Sequence, residues 1–215
     1  MSGLSGKVSN YKVIDFKDYP LYLDVEARQR LLDEVLACDK EYLFLISSRK
    51  RFIQGADPRE FHLPDSYPDM REVLAEFDKS KSVIVTVLRG DAHGLGFEIA
   101  LASDYRVATM DVHCSFPEVK MGLMPGSGGT VRLPRLAHNQ NYASLIINSG
   151  NKVSSIELWN QGVIDYLYAS NTSNTNIIGD ILALNLEQRK MTGIEAEIRE
   201  ERAMFKKLRD QKYRS

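Results

Sequence analysis

The sequence predicts a soluble α/β fold with parallel strand pairing. Two segments, Tyr42–Ile46 and Ser82–Leu88, are continuous apolar runs of strand length, which is typical of strands buried on both faces. Segments with helical periodicity separate these and the later apolar runs, as expected when parallel strands are joined by helical crossovers. The length of 215 residues fits one domain with a helical appendage better than two domains.

The first third of the chain supplies one short strand and two helices around the Tyr42–Ile46 strand. A strand is expected at Val13–Phe16 and a helix over Val25–Cys38, with Asp24 as its N-cap. Apolar side chains between Met70 and Phe77 recur at i, i+3, i+4 and i+7, which predicts an amphipathic helix. The strand Ser82–Leu88 follows this helix.

Glycines punctuate the second half of the chain. Gly90–Gly96 is predicted to turn the chain into a helix, and Gly122–Gly129 to lead into another. Gly150 and Gly162 are expected to end two short helices as left-handed caps. The remaining predicted elements are the helices Leu95–Ser103 and Thr130–Leu136 and the strands Tyr105–Ala108 and Val163–Leu167.

The last fifty residues differ in composition from the rest. Ser170–Asn176 is rich in Ser, Thr and Asn and is predicted to be a linker or exposed loop. Thr192 and Glu195 have capping-box spacing, and the charged segment from there to Arg214 predicts an exposed or partner-packing helix. We therefore expect a core over residues 1–168 and a C-terminal helical segment over 169–215 that serves as a lid or an oligomerisation surface.

Composition and charge argue against several classes of function. With 28 Lys and Arg against 29 Asp and Glu, the net charge of -1 predicts no binding to nucleic acid or to an anionic membrane. No apolar run approaches the roughly 20 residues of a membrane span, and Met1–Asn10 lacks the apolar core of a secretory signal. Cys38 and Cys114 have no disulfide or metal spacing, which indicates free thiols and a cytoplasmic location. The four histidines lack short metal-ligand spacings, so no metal site is expected.

Two turns and two carboxylates are the residues that could carry chemistry. The turns Gly55–Asp57 and Gly94–Gly96 could direct backbone N–H groups at a developing negative charge, or could simply be tight turns. Glu98 lies in the first turn of a predicted apolar helix and Glu118 lies among apolar neighbours. In the simpler interpretation, Glu98 is an ordinary charge at the start of a helix and Glu118 is an exposed turn residue. In the alternative, the two carboxylates form a pair that moves a proton at a carbon next to a carbonyl while activating a water.

At these residues the sequence resembles the crotonase superfamily of enoyl-CoA hydratases and isomerases. Phe52–Asp57 is similar to the family segment F-x-x-G-A-D, and Ser82–Ala108 to its strand, glycine turn, glutamate-bearing helix and next strand. The stretch from Pro117 to Leu133 resembles P-E-x-x-x-G-x-x-P-G-x-G-G-T-x-R-L. The similarity spans about residue 42 to residue 168 and implies a crotonase-like (ββα) superhelix followed by a short charged helical tail.

The resemblance implies a role for five residues. The N–H groups of Ala56 and Leu95 would form an oxyanion hole for a thioester carbonyl. Glu98 and Glu118 match the two glutamates that hold a water in the hydratases, Glu118 acting on the α-carbon proton and Glu98 on the water. Gly126 matches a glycine whose N–H helps to hold that water. Leu95 replaces the middle glycine of the common G-G-G turn, and the chain after Gly162 is shorter than usual in the family.

The implied activity is hydration of an enoyl thioester, or dehydration of a 3-hydroxyacyl thioester, held on CoA or on an acyl carrier protein. Alternatives are an enoyl-CoA isomerase, which would depend on Glu118 more than on Glu98, a decarboxylase of the same fold, and a non-catalytic crotonase-like scaffold protein. Fatty acid metabolism and polyketide biosynthesis are the contexts that such chemistry suggests. No cofactor is expected beyond the thioester handle, and the family implies a homo-oligomer, a trimer or hexamer.

Overall fold

The structure is a computed structural model that describes residues 9–214. Most of the Met1–Asn10 stretch, for which no secretory signal is predicted, therefore lies outside the described residues. The strands are β1 (Tyr11–Asp15), β2 (Tyr22–Leu23), β3 (Tyr42–Ile46), β4 (Gly55–Ala56), β5 (Val83–Leu88), β6 (Ala92–His93), β7 (Tyr105–Thr109), β8 (His113–Ser115), β9 (Val153–Ser154) and β10 (Tyr166–Tyr168). The α-helices are α1 (Val25–Leu36), α2 (Met70–Lys79), α3 (Leu95–Ala102), α4 (Gly129–Leu136), α5 (Gln140–Ser149), α6 (Ser155–Asn160), α7 (Asn174–Ala183) and α8 (Glu195–Tyr213).

The main sheet has five parallel strands in the order β1-β3-β5-β7-β10. Every residue of β3, β5 and β7 is buried, which explains their continuous apolar sequences. One smaller sheet pairs β2 with β4, and another has the strand order β6-β8-β9. This arrangement confirms the predicted α/β class with parallel pairing.

Helices cover both faces of the main sheet. On one face α1, α2 and α3 enclose the larger apolar core, which includes Leu31, Phe77 and Phe97. On the other face α7 contributes Ile177 and Ile181 to a second core cluster. The sheet is thus a central layer, as its fully buried strands require.

Residues 174–176 of the predicted linker Ser170–Asn176 are instead the start of α7, so that prediction is wrong for this part of the segment. The hydroxyl of Ser173 accepts a hydrogen bond from the backbone N–H of Asn176 and caps the helix. Serine and asparagine favour both loops and helix starts, and here the apolar residues after Asn176 decide in favour of a helix.

Most other boundaries lie within two residues of the predictions. The first strand, for example, is Tyr11–Asp15 rather than Val13–Phe16, because Phe16 begins a 3-10 helix. There are two larger exceptions. Asp24 caps α1 by accepting from the Ala27 N–H, and Gly150 ends α5 with φ 62°, both as predicted. The Thr192–Glu195 capping box is wrong, because α8 begins after Ile194 with no side-chain cap. The last strand is Tyr166–Tyr168 rather than Val163–Leu167, since the Val163 N–H bonds the Leu158 carbonyl in a turn.

The terminal helix α8 lies against the core. Ile198 packs with Val131 of α4 in a small apolar cluster, and Phe205 and Arg209 are also buried. Among residues 9–214, no helix is both long enough and apolar enough to cross a membrane.

Candidate active site

All five residues that the resemblance singled out line one cavity. The cavity has a volume of about 470 Å³, and its wall includes Ala56, Leu95, Glu98, Glu118 and Gly126. Its lining is mostly apolar in area, with a few acidic and basic side chains that face it. An apolar cavity with converging polar groups is the usual form of a small-molecule site.

Close backbone packing brings the two predicted turns together. Gly94, with φ 51°, forms the N-cap of α3, so that Leu95 is the first residue of the helix. A Cβ on Gly96 would collide with the carbonyl oxygen of Ile53, so only glycine permits this approach of α3 to the segment before β4. The His93 N–H also donates to that carbonyl, at 3.3 Å. Leu95 and Ala56 therefore border the same end of the cavity.

Glu98 is a buried carboxyl group on the apolar helix α3. Its side chain is 3% exposed, and its Oε1 accepts hydrogen bonds from the N–H groups of Ser127, at 2.7 Å, and Gly129, at 3.0 Å. Burial raises the pKa of Glu98 to about 8, with further increases from the charges of Glu201 and Glu118. At neutral pH this carboxyl group therefore carries a proton.

Glu118 enters the cavity from a short 3-10 helix, Pro117–Met121, that ends at the left-handed Gly122. Its Oε2 is shielded from solvent and has no hydrogen-bond partner among the described residues. Burial raises the pKa of Glu118 to about 7. A Cβ on Gly94 would collide with Glu118 Oε1, which places this carboxylate directly against the turn that begins α3.

Helix α8 closes the side of the cavity that contains Gly126. A Cβ on Gly126 would lie 2.7 Å from Cγ of Phe205, so a larger residue at this position would have to displace the Phe205 side chain. The guanidinium of Arg202 lies over the Phe205 ring at 5.0 Å, and its Nε is 3.4 Å from Oδ2 of Asp69. Phe61 also packs against Phe205, with 6.2 Å between the two ring centroids.

Sequence reasoning missed the residues that α8 contributes to this site. Glu201 is 5% exposed and accepts hydrogen bonds from the N–H groups of Gly128 and Thr130 and from the Thr130 hydroxyl. The available signal was weak: Ile198, Glu201 and Phe205 recur at helical spacing on one face of a helix whose other residues are mostly charged.

Polar side chains gather on the cavity wall beside β8. His93 Nδ1 and the Ser115 hydroxyl share a hydrogen bond of 2.9 Å, and Lys152 pairs with Asp91 at 2.8 Å. Burial is the main cause of the lowered pKa of His93. Within residues 9–214, no group of three or more His, Cys, Asp or Glu is placed to hold a metal ion.

The sequence model of the family described as enoyl-CoA hydratase/isomerase matches residues 45–211, which is most of the chain. The chain belongs to this family. It is 38% identical over 122 residues to the peroxisomal bifunctional enzyme of Danio rerio, a match that covers 57% of this chain and 17% of that protein. It is 31% identical over 182 residues to the enoyl-CoA isomerase/hydratase fer4 of Mycosarcoma maydis, covering 72% of this chain and 66% of that protein.

The chain thus spans about a fifth of the length of several curated relatives, including the fatty acid oxidation complex subunit alpha of Colwellia psychrerythraea, of which it covers 18% at 37% identity. Solved structures confirm the crotonase fold. An enoyl-CoA hydratase from Mycobacterium avium subsp. paratuberculosis matches with a TM-score of 0.78 at 17% identity, covering 97% of this chain and 95% of that chain. One from Thermoplasma volcanium matches with a TM-score of 0.70 at 24% identity, covering 93% and 88%.

Proposed function

We propose that this member of the enoyl-CoA hydratase/isomerase family adds water to the double bond of a 2-enoyl thioester, and catalyses the reverse dehydration. The observation that carries the proposal is that Glu98 and Glu118 line one cavity together with Ala56 and Leu95. Dehydration and hydration each need one group that gives a proton and one that takes a proton. Simple double-bond isomerisation needs only one carboxylate that moves a proton between two carbons.

In the proposed hydration the thioester carbonyl lies against the N–H groups of Ala56 and Leu95. Hydration starts from the form of the pair in which Glu118 holds the single proton. Glu98 then takes a proton from a water as the water oxygen bonds to the β-carbon, and the electrons of the double bond move onto the carbonyl oxygen. The two N–H groups stabilise that enolate, since they are fixed before charge develops. Glu118 then gives its proton to the α-carbon. Dehydration reverses each step, so the pair holds one proton in both directions.

The surroundings of the two carboxyl groups favour a pair that shares one proton, which rests on Glu98, the group with the higher pKa; dehydration starts from this form. Burial raises the pKa of Glu118 to about 7 and that of Glu98 to about 8, so that near neutral pH the pair passes through the singly protonated state. The thioester itself acidifies the α-carbon, and the proposed chemistry therefore calls on no metal or redox cofactor. CoA or an acyl carrier protein would serve as the handle of the substrate.

The test is loss of enoyl-thioester ultraviolet absorbance with crotonyl-CoA and with a longer 2-enoyl-CoA. Glu118→Gln and Glu98→Gln should each reduce kcat/KM by about 100-fold to 10,000-fold, because each removes a proton-transferring group. Glu187→Gln is the matched control, since Glu187 is exposed and outside the cavity wall. Its rate should equal that of the wild type.

Isomerase activity is the alternative that this experiment separates. A 3-enoyl-CoA converted by the wild type and by Glu98→Gln, but not by Glu118→Gln, would replace hydration with isomerisation as the principal reaction. Absence of any turnover, with thioester binding retained, would contradict hydration of a CoA thioester and favour a carrier-bound substrate or a scaffold.

A further inference from the structure

Two buried carboxylates hold opposite sides of the loop that begins α4. The N–H groups of Ser127 and Gly129 point to Glu98, whereas those of Gly128 and Thr130 point to Glu201. The N-cap residue Gly128 has no side chain that could bond the N–H groups at this helix start. Side chains from α3 and α8 bond these four N–H groups instead. The loop is thus clamped between the two carboxyl groups.

The carboxyl group of Glu201 accepts more hydrogen bonds than that of Glu98. Glu201 accepts three hydrogen bonds, two from N–H groups and one from the Thr130 hydroxyl, whereas Glu98 accepts two. Glu201 also feels the positive charge of Arg132, whose Nη1 donates to the Ser127 carbonyl at 3.1 Å. Hydrogen bonds to a carboxylate and a nearby cation favour its charged form. Burial raises the pKa of Glu201 as it does that of Glu98, and these hydrogen bonds and the charge of Arg132 oppose the increase. They favour the arrangement with the negative charge on Glu201 and the proton on Glu98.

The charged groups around the pair come from every neighbouring element. Glu118 faces Glu98 from the 3-10 helix, and Arg202 of α8 is also close enough to Glu98 for their charges to interact. Arg132 is held between Ser127 and Asp78 of α2, with Nη2 3.0 Å from Asp78 Oδ2. Among the described residues no cation forms a hydrogen bond or ion pair with the carboxyl group of Glu98, and the charges of Glu201 and Glu118 both raise its pKa.

We propose that Glu201 is a positioning residue for Glu98. Its carboxylate fixes the loop Ser127–Thr130 so that both N–H bonds to Glu98 use Oε1, and its negative charge keeps the proton on Glu98 in the resting enzyme. The inference rests on the proposed function, since it assigns Glu201 a role in the proton transfer at the same site. It makes the C-terminal helix a support of the catalytic residues, although Glu201 itself does not line the cavity.

The direct test is titration of the Glu98 carboxyl group by NMR in protein labelled at the glutamate carboxyl carbons, with Glu98→Gln used to assign the resonance. In Glu201→Gln the amide keeps the shape of the side chain but removes its charge. The Glu98 midpoint, about 8 in the wild type, should move to lower pH. An unmoved midpoint would overturn the proposal. This readout needs no turnover, so it separates failure of this inference from failure of the proposed function.

The pH dependence of crotonyl-CoA hydration provides a second readout. If Glu201 acts through Glu98, the alkaline limb of kcat moves to lower pH in Glu201→Gln. A uniform loss of rate at every pH, with both limbs in place, would mean that Glu201 only supports the structure and would overturn the proposal.

Glu197→Gln is the matched control, because Glu197 lies one turn earlier on α8 and forms an exposed ion pair with Arg135 at 2.7 Å. It should leave the midpoint and both limbs unchanged. If Glu201→Gln does not fold, the same Glu98 titration is measured in Thr130→Val. Loss of the hydroxyl donor makes the charge on Glu201 less favourable, so the Glu98 midpoint should again fall, and an unmoved midpoint would contradict the proposal.

Discussion

Glu98 is buried and Glu118 is half-buried with its Oε2 shielded from solvent, and their oxygens are satisfied differently. Glu98 Oε1 accepts two backbone N–H groups, whereas Glu118 Oε2 has no partner in the described part of the chain. An unpartnered buried oxygen costs free energy in the folded protein, and a bound water or substrate could remove that cost. This asymmetry is consistent with Glu118 acting directly on the substrate carbon.

The pH dependence of kcat/KM follows from the two raised pKa values. Below about pH 7 both carboxyl groups hold protons, so no base remains and the rate falls as pH decreases. Above about pH 8 both are ionised, so no acid remains and the rate falls as pH increases. We expect a bell-shaped profile with a narrow maximum between these limbs, whose apparent values belong to the pair. A maximum near pH 5, typical of unperturbed carboxyl groups, would contradict the assignment.

Among the elements, α8 and the loop before α4 depend on one another through Gly126 and Phe205. Gly126→Ala should force Phe205 and α8 away from the loop and destabilise the fold by about 1–3 kcal/mol. Activity should fall with stability, because the cavity loses one wall. Chemical denaturation and the crotonyl-CoA assay measure the two effects.

Gly179→Ala is the control for this substitution. Gly179 lies inside α7, and a Cβ there would meet nothing within 4 Å. Alanine is favoured over glycine inside a helix, so this variant should be neutral or more stable by about 0.5–1 kcal/mol. Equal stability of the two variants would show that the contact between Gly126 and Phe205 is not tight.

Elements defined by their own sequence pattern were predicted well. The continuous apolar runs of β3 and β5 and the periodicity of α2 determine these elements locally, and Asp24 caps α1 as expected. The start of α7 was mistaken for a linker because Ser173 and Asn174 favour loops and helix starts alike. The capping box at Thr192 failed because Gly193 takes a left-handed φ of 74°, which does not fit inside a right-handed helix. The helix therefore begins only after Ile194, too late for Thr192 to cap it.

The candidate site was predictable only where a family motif carries it. Glu98, Glu118 and Gly126 belong to such motifs, and the cavity brings them together. Glu201 was missed because its contact with Gly128 joins residues 73 positions apart. Only its helical spacing from the buried Ile198 and Phe205 distinguishes this glutamate from the exposed Glu197 and Glu200 on the same helix, which is a weak signal.

At the scale of the whole molecule, the main sheet is covered on both faces by the chain's own helices. The family implies a trimer or a hexamer, a prediction that concerns the solution state. Light scattering after size exclusion should give three or six times the 24.4 kDa mass of the chain. A monomeric mass for an active enzyme would show that the site is complete within one chain and would contradict the prediction.

The central claim is that Glu98 and Glu118 add the elements of water across the substrate double bond. The most direct measurement is mass spectrometry of the product formed from crotonyl-CoA, first in water enriched in heavy oxygen and then in deuterium oxide. We predict one heavy oxygen at the β-carbon and one non-exchangeable deuterium at the α-carbon, both lost in Glu118→Gln. Deuterium uptake by the recovered enoyl thioester with no oxygen incorporated would contradict hydration and identify the reaction as proton transfer alone.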